Sequence, residues 1–556
     1  MSICAARICV FAMVLIGGSI SANSAVAQAV FQVDSTADQI DDDTSDGICH
    51  TAANTCTLRA AVMSANKEGG AGATIMLPAG TYTFVRPAPV DPNDDSGGSI
   101  KLLAPVSGTP PITITGAGAA VTVIDAAQKD RVLAVDSSSR TAFVSGVTFR
   151  NGLASGDGGG IYNAGTLALT SCALSDNTAS GKGGGIYSTH TLYFNQSTLS
   201  GNHALRGAGI HSRSGGYISA NYCTLSGNTA STSFSGRGGA IFNEAPNTIV
   251  IDHCTLSGNM ADGSGGGISN EGVLQISNST LSGNAAATIA GGGIENYGTL
   301  TLEHSTVSDN TAAIGGGVYS VSVQGSGSDA TVSVSHSTIS GNTAHANDPT
   351  PGNGGGIYVY SSVLTVTDST IALNNAVANG GGIYNDAGTN TNINIYSSTI
   401  AYNGAASLGG GIFLNGTDGN GFNVYNTILA ENSENNFFGL WDDCAAGNNG
   451  TSTGVLKTHA RNLFGNSINC TIAAVSGSYA TLNPLASLGS LRNNGGPTQT
   501  VALLAGSNAI DGTSVTGSIC GDASVLILVD QRGYPRTGAC DVGAYEYDDI
   551  FIGGFE

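Results

Sequence analysis

Ten short runs of the form G-[GA]-[GA]-[IV], from 158–161 to 409–412, are each followed by one residue of a recurring kind. In order these are Tyr162, Tyr187, His211, Phe242, Ser269, Glu295, Tyr319, Tyr358, Tyr384 and Phe413. Seven are aromatic, in a chain that is 6% aromatic. If the preceding Ile or Val points inward on an extended segment, these residues point outward. Rings repeated along one line have two uses. They stack on one another beneath inserted loops, or they offer a platform to sugar rings. Tyr319, Tyr358, Tyr384 and Phe413 form the longest aromatic run and are the candidate glycan-binding residues.

Other chemistry is thinly supplied. Eliminative cleavage of a uronate polymer needs a cation against the substrate carboxylate and a base to take the proton. Between 151 and 440 the basic side chains are Lys182, Arg206, Arg213 and Arg237, and none occurs from 238 to 456. Glycoside hydrolysis needs two carboxylates across a cleft, and the phrases NTD, GHG and RIK do not occur. His253, His304 and His336 share one repeat position and read as solvated outward residues. The loop carrying Asp34, Asp38, Asp41, Asp42, Asp43 and Asp46 is acidic. Asp41, Asp43 and Asp46 are its candidate calcium ligands, set against a plain solvated turn, because the residue eleven after Asp41 is Ala52 and not the glutamate of an EF-hand. No other metal or cofactor is expected.

The elements that position these residues follow from a repeat. The phrases SCALSDN, QSTLSGN, YCTLSGN and seven later relatives end on Asn177, Asn202, Asn228, Asn259, Asn284, Asn310, Asn342, Asn374, Asn403 and Asn432. Their steps of 25, 26, 31, 25, 26, 32, 32, 29 and 29 residues describe a fixed unit with loop insertions. Inside a unit the hydrophobic period is two, as at Leu167 and Leu169. Strands this short, separated by two residues, cannot pair within a unit and must pair with the next unit in parallel. The expected fold is all-β: a right-handed parallel β-helix of three faces and some eleven coils, roughly 50 Å long. The glycines mark a corner needing positive φ or close backbone approach. The asparagines suit a left-handed corner and an amide ladder. Leu174, Leu199, Leu225, Leu256 and Leu281 form an interior column.

Composition narrows the setting. Of 556 residues only 10% are charged, 41% are hydrophobic, and the net charge is -21. That excludes disorder and a basic nucleic-acid face. Residues 1–29 carry Arg7, an apolar run over 8–16 and a small-residue end at Ala25-Val26-Ala27, the layout of a signal peptide cut after Ala27 or Ala29. Export into an oxidising compartment makes disulfides of near neighbours: Cys49 with Cys56, Cys444 with Cys470, and Cys520 with Cys540. Cys172, Cys223 and Cys254 fall in one interior column and read as buried thiols.

Both ends carry distinctive phrases. CTLRAAV at 56–62, with STADQIDDDTSDGIC before it and TIMLPAGTYTF after it, resembles the CSLREA domain of bacterial surface proteins, departing at Thr57 and at Ala60, where that family has a glutamate. NNGGPTQTVALLAGSNAID at 493–511 and DQRGYPRTGACDVGAYEY at 530–547 resemble the choice-of-anchor Q region. The middle is similar to the pectin-lyase-like β-helix superfamily and to polymorphic outer-membrane proteins, which repeat a GGAI phrase. The resemblance implies a bacterial cell-surface or secreted protein. The expected order is a signal peptide (1–29), an N-terminal cap (30–100), coils (101–440), a C-terminal cap (441–547) holding Asp530, Arg532, Arg536, Asp541 and Glu546 as a paired network, and a tail (548–556). The expected role is adhesion or glycan binding without catalysis, with a polysaccharide lyase or hydrolase as the alternative; no nucleic-acid partner and no membrane span in the mature chain are expected.

Overall fold

A computed structural model describes residues 28–547 except 69–71, 90, 92–93, 106–110, 214, 232–234, 323–328, 348–349, 387–390, 416–420, 435–441, 448–454, 467–469, 476–478, 483–485, 512–526 and 537–538. The signal layout at 1–27 and the tail at 548–556 lie outside the described residues. So does Cys520; Cys540 is disulfide-bonded.

The chain is a right-handed parallel β-helix. One coil shows the plan: Ile161–Asn163, Thr166–Thr170, Ala173–Ser175 and Thr178–Ala179. Each strand pairs in register with its copy one coil on, as Ile161 with Ile186, Leu167 with Leu192 and Leu174 with Leu199. Stacking the four gives four sheets: a ring sheet of 13 strands, a long sheet of 16, a flank sheet of 15 and a short sheet of 11. Three faces were expected. The fourth is a two-residue strand whose inward residue is Ala179, Ala204, Ala230 or Ala261, too small to announce a core position. Leu and Ile of the other three sheets fill one continuous dry interior.

Left-handed backbone makes the corners. The first glycine of each run has positive φ, from Gly158 at 75° to Gly409 at 66°, and the next residue, glycine in all but Ala208, lies close to neighbouring backbone, a Cβ on Gly159 lying 2.4 Å from Thr178 O. The ladder asparagines are not themselves left-handed. The residue before each one is, Asp176 at 55° and Gly201 at 63°, which is why the repeat reads SDN or SGN. A second left-handed column, Ser171 to Asn426, holds His253, His304 and His336. His253 is exposed, its Nδ1 2.8 Å from Asp252, whereas burial and His304 lower the pKa of His336.

The ends are closed differently. Helix Leu58–Lys67, N-capped by Thr57, lays Ala61, Val62 and Ala65 on the first coils. Arg59, 1% exposed, is fixed by Asp38 at 2.5 Å and by Gly98 O at 2.7 Å. Cys49 and Cys56 are joined just before the helix, and Cys444 and Cys470 at the other end. Cys172, Cys223 and Cys254 are free and buried.

The C-terminal region does not sit over the last coil as expected. Its first part continues the coils to Thr471–Ala474 and Tyr479–Leu482. The described residues of 486–547, with an antiparallel pair Leu488–Arg492 and Thr500–Leu503, then run back along the flank sheet. Gln531 Nε2 donates to Ser337 O at 3.1 Å, Thr370 Oγ1 to Gln531 Oε1 at 2.6 Å, and Gly543 N to Asn426 O at 2.9 Å. The reason is written in the flank sheet's outward column. It reads Ser175, Ser200, Ser226, Ser257, Ser282, Ser308 and Ser340, then turns apolar at Ala372, Ala401 and Ala430, all three buried. An end cap would leave those methyls in water.

Candidate functional site

The ring column forms two stacks. Tyr162, Tyr187, His211 and Phe242 follow at 5.5, 5.4 and 4.9 Å between centroids, and Tyr319, Tyr358, Tyr384 and Phe413 at 5.2, 5.0 and 5.2 Å. The rings leave the sheet outward, as alternation requires, but they are roofed. Tyr358, Tyr384 and Phe413 are 9, 5 and 1% exposed, with Ile314, Val321, Tyr360, Leu408 and Ala445 packed against the stack. Tyr358 Oη donates to Asp386, and Asn415 Nδ2 bonds to Tyr384 Oη at 3.2 Å. Burial, followed by the Glu295 and Asp386 charges, pushes Tyr319 up to about 12. An exposed sugar platform at these four residues is therefore corrected to a structural stack: a flat ring beside a loop gains more by being covered than by facing water.

Where the ring column is interrupted, by Ser269 and Glu295, an ion cluster fills the gap. Arg237 lies 2.7 Å from Glu271 and 2.9 Å from Glu295, with its guanidinium over Phe242 and Tyr297. Ser269 Oγ and Tyr297 Oη complete the Glu295 carboxylate at 2.7 and 2.9 Å. His211, wholly buried in the first stack, falls to about 3 through burial and then the charges of Lys182, Arg206 and Arg213, so it is neutral.

In the acidic loop, Asp43 accepts from Ser45 N at 3.0 Å and Asp46 from Ile48 N at 2.8 Å, each making its own turn. Asp41 accepts from Asp43 N and from Ser64 Oγ. Among the described residues the grouping with metal-like spacing is Asp41, Asp42 and His50, not Asp41 with Asp43 and Asp46. Desolvation works against the His50 charge, but Asp42 and Asp46 raise its pKa overall. The grouping thus brings an imidazole nitrogen among its carboxylates, and calcium prefers oxygen ligands alone.

The candidate binding surface is one that spacing did not single out, the outward face of the long sheet. Over 141–367 its charged residues are Asp252 and Glu303, the rest being Thr, Ser, Asn, Gln, Ala, Val and three rings. Those rings, Phe143, Tyr193 and Tyr217, are 45, 40 and 38% exposed. Phe143 and Tyr193 share one column through Ala168, two coils or about 10 Å apart. Tyr217 packs edge-on to Tyr193 at 6.3 Å. The signal in the sequence was an aromatic at an outward position of a Thr-rich strand.

Three segments, 171–189, 222–244 and 336–360, match the Chlamydia polymorphic membrane protein repeat. Each spans the flank strand, the ladder asparagine, the glycine corner and the ring strand. No curated protein sequence matches the chain. Solved structures similar to it include the A-module of mannuronan C-5 epimerase AlgE6 from Azotobacter vinelandii, at 13% identity, 73% of this chain, 90% of that one and TM-score 0.29. A PL6 family polysaccharide lyase from Pseudopedobacter saltans gives 12% identity, 76 and 91% coverage and TM-score 0.33. The pectate lyase Pel9A gives 13%, 94 and 98%, and 0.26. At these scores the likenesses carry no argument about activity. Among the described residues no helix is long and apolar enough to cross a membrane.

Proposed function

We propose that this is an exported bacterial surface protein, a rigid β-helix that adheres to neutral polysaccharide and does not catalyse. One observation carries the reading: the long sheet presents a flat, almost uncharged face of hydroxyls and amides set with Phe143, Tyr193 and Tyr217. Sugar C–H groups stack on such rings, and weak contacts repeated along a polymer add up. The repeat matches, the signal layout at 1–29 and the resemblance of the ends to CSLREA and choice-of-anchor Q surface proteins support the location. A lyase is the poorer reading, because the long-sheet face over 141–367 carries no Lys or Arg to face a uronate carboxylate or take its proton.

A glycan array on the mature chain, beside fractionation of the native cells, tests this. Neutral glycans are bound with little salt dependence, and replacing Phe143, Tyr193 and Tyr217 with Ala abolishes retention. Unsaturated uronate released in proportion to protein would overturn the non-catalytic assignment.

A further inference from the structure

The basic side chains of the coils are not scattered. Lys182, Arg206 and Arg237 occupy one position on three successive coils, bridged Lys182 to Arg206 and Arg206 to Arg237, immediately before the glycine corner. Arg131 reaches the start of this row from the preceding coil, its guanidinium over Tyr162 and bonded to Asp157 O at 3.0 Å. Arg213 flanks it, Nη1 3.4 Å from Tyr187 Oη. Further along, the same row is neutral: Ser264, Ala290 and Ile314. The two ring stacks therefore have opposite roofs, cationic over the first and apolar over the second.

Arg237 is committed to its two glutamates. Lys182 and Arg206 have no carboxylate partner within ion-pair distance among the described residues. Both are only partly buried, in a chain of net charge -21. Facing acids are Asp157, which accepts the Lys182 backbone N–H at 2.8 Å, and Glu244, 3.8 Å from the buried His211.

We infer that this row docks a sulfated glycan strand lying along the helix axis, its sulfate esters seated on Lys182 and Arg206 with Arg213 at the margin. Cations on successive coils recur about every 4.8 Å, a spacing suited to a linear polyanion. Arg206 lies over the Phe242 ring, its guanidinium carbon 5.7 Å from the centroid, and a planar guanidinium so placed keeps its N–H donors for an anion. A narrow strip admits a thin strand, whereas a broad anionic membrane would meet the repulsion of the whole acidic molecule. Sulfate is favoured over carboxylate because the ligand competes with Asp157 and Glu244, and a weakly hydrated guanidinium pairs best with a weakly hydrated anion. The site is separate from the long-sheet face and differs from it in being sensitive to salt.

The test uses the full mature chain on immobilised dextran sulfate, with dextran, polygalacturonate and phosphatidylglycerol vesicles as comparisons. Dextran sulfate retains the protein and releases it by roughly 1 M salt, where the Debye length is about 3 Å. The double variant Lys182→Gln, Arg206→Gln binds at least about tenfold more weakly, while Arg492→Gln binds as the parent. Asp157→Asn, which keeps an oxygen for the Lys182 N–H, binds more tightly and guards against a folding defect in the double variant. Equal retention on dextran or polygalacturonate, retention by vesicles in place of dextran sulfate, or indifference to both sets of substitutions would overturn the inference. Loss of neutral-glycan binding at the long sheet would leave it standing.

Discussion

Arg536 Nη2 lies 2.9 Å from Asp368 Oδ1, and both side chains are shut away from water. The two residues are 168 positions apart, one in the returning C-terminal segment and the other at a left-handed corner of the coils. The same guanidinium holds Glu546 at 3.0 Å and Gly543 O at 2.7 Å, and Arg532 pairs with Asp530 beside it at 2.7 Å. The network expected from sequence exists, but its sixth member, Asp368, belongs to the solenoid. Three carboxylates of the segment plus Asp368 outnumber two guanidiniums.

Replacing Arg536 with Met strands Asp368 and Glu546 without their cation. The cost is about 3–5 kcal/mol, read by denaturant unfolding. Limited proteolysis should then cut within 486–547 while leaving the upstream coils intact. Asp368→Asn, which keeps a hydrogen-bond acceptor for Arg536, costs far less.

Charge excess also sets a pH dependence. Burial, against the pull of Arg536, pushes Asp368 and Glu546 up to about 7, and burial likewise takes Asp541 to about 6. Each is an acid with a folded pKa above its unfolded one, so the folded chain holds extra protons between about pH 4 and 7. Their contribution is complete below that window and is lost as pH rises through about 6 to 7. The melting temperature should therefore fall from pH 5 to pH 8, and Asp368→Asn with Glu546→Gln should flatten the slope. A melting curve that rises over this range contradicts the assignment.

The two ring sets should respond oppositely. Tyr384→Ala opens a cavity in a covered stack and costs about 3–5 kcal/mol without altering glycan retention. Tyr193→Ala on the open face leaves the melting temperature nearly unchanged and weakens retention. Measuring both quantities on both variants decides the matter.

Asn284 is the middle of the amide ladder, its Oδ1 accepting from Asn259 N and Nδ2 at 3.0 and 2.9 Å, its Nδ2 reaching Asn310 Oδ1 at 2.9 Å. Asn284→Ala orphans groups on two coils and costs about 2–3 kcal/mol. Because each coil touches only its neighbours, hydrogen exchange should quicken near residues 259–310 and nowhere else.

The parallel coils were legible because pairing is forced: Leu167 and Leu169 alternate over too short a strand to pair within its own unit. The ladder was legible from the return of one asparagine, but not which residue turns left-handed, since Gly, Asp and Asn all tolerate that conformation. The roof over Tyr384 was not legible, because alternation tells inward from outward and says nothing of what lies beyond the sheet. Arg59 went unremarked for a related reason. Its partner Asp38 is 21 residues away, in a loop without a period. The Ser340 to Ala372 change was on view throughout, and only the segment that covers it gives it meaning.

That change also separates a buckle from a strap. The returning segment grips Ser337, Thr370, Thr399 and Asn426, one on each of four consecutive coils, so this end has a fixed measure. Coils before it carry no such grip among the described residues, and each meets the next through the same Asn, Gly and Leu columns. A coil added or lost between 158 and 335 changes reach by about 4.8 Å and leaves the fastening untouched, whereas one added inside the grip would put every hook opposite the wrong eye. Duplication of repeats can thus lengthen the molecule in one direction only, with its fastened end unchanged.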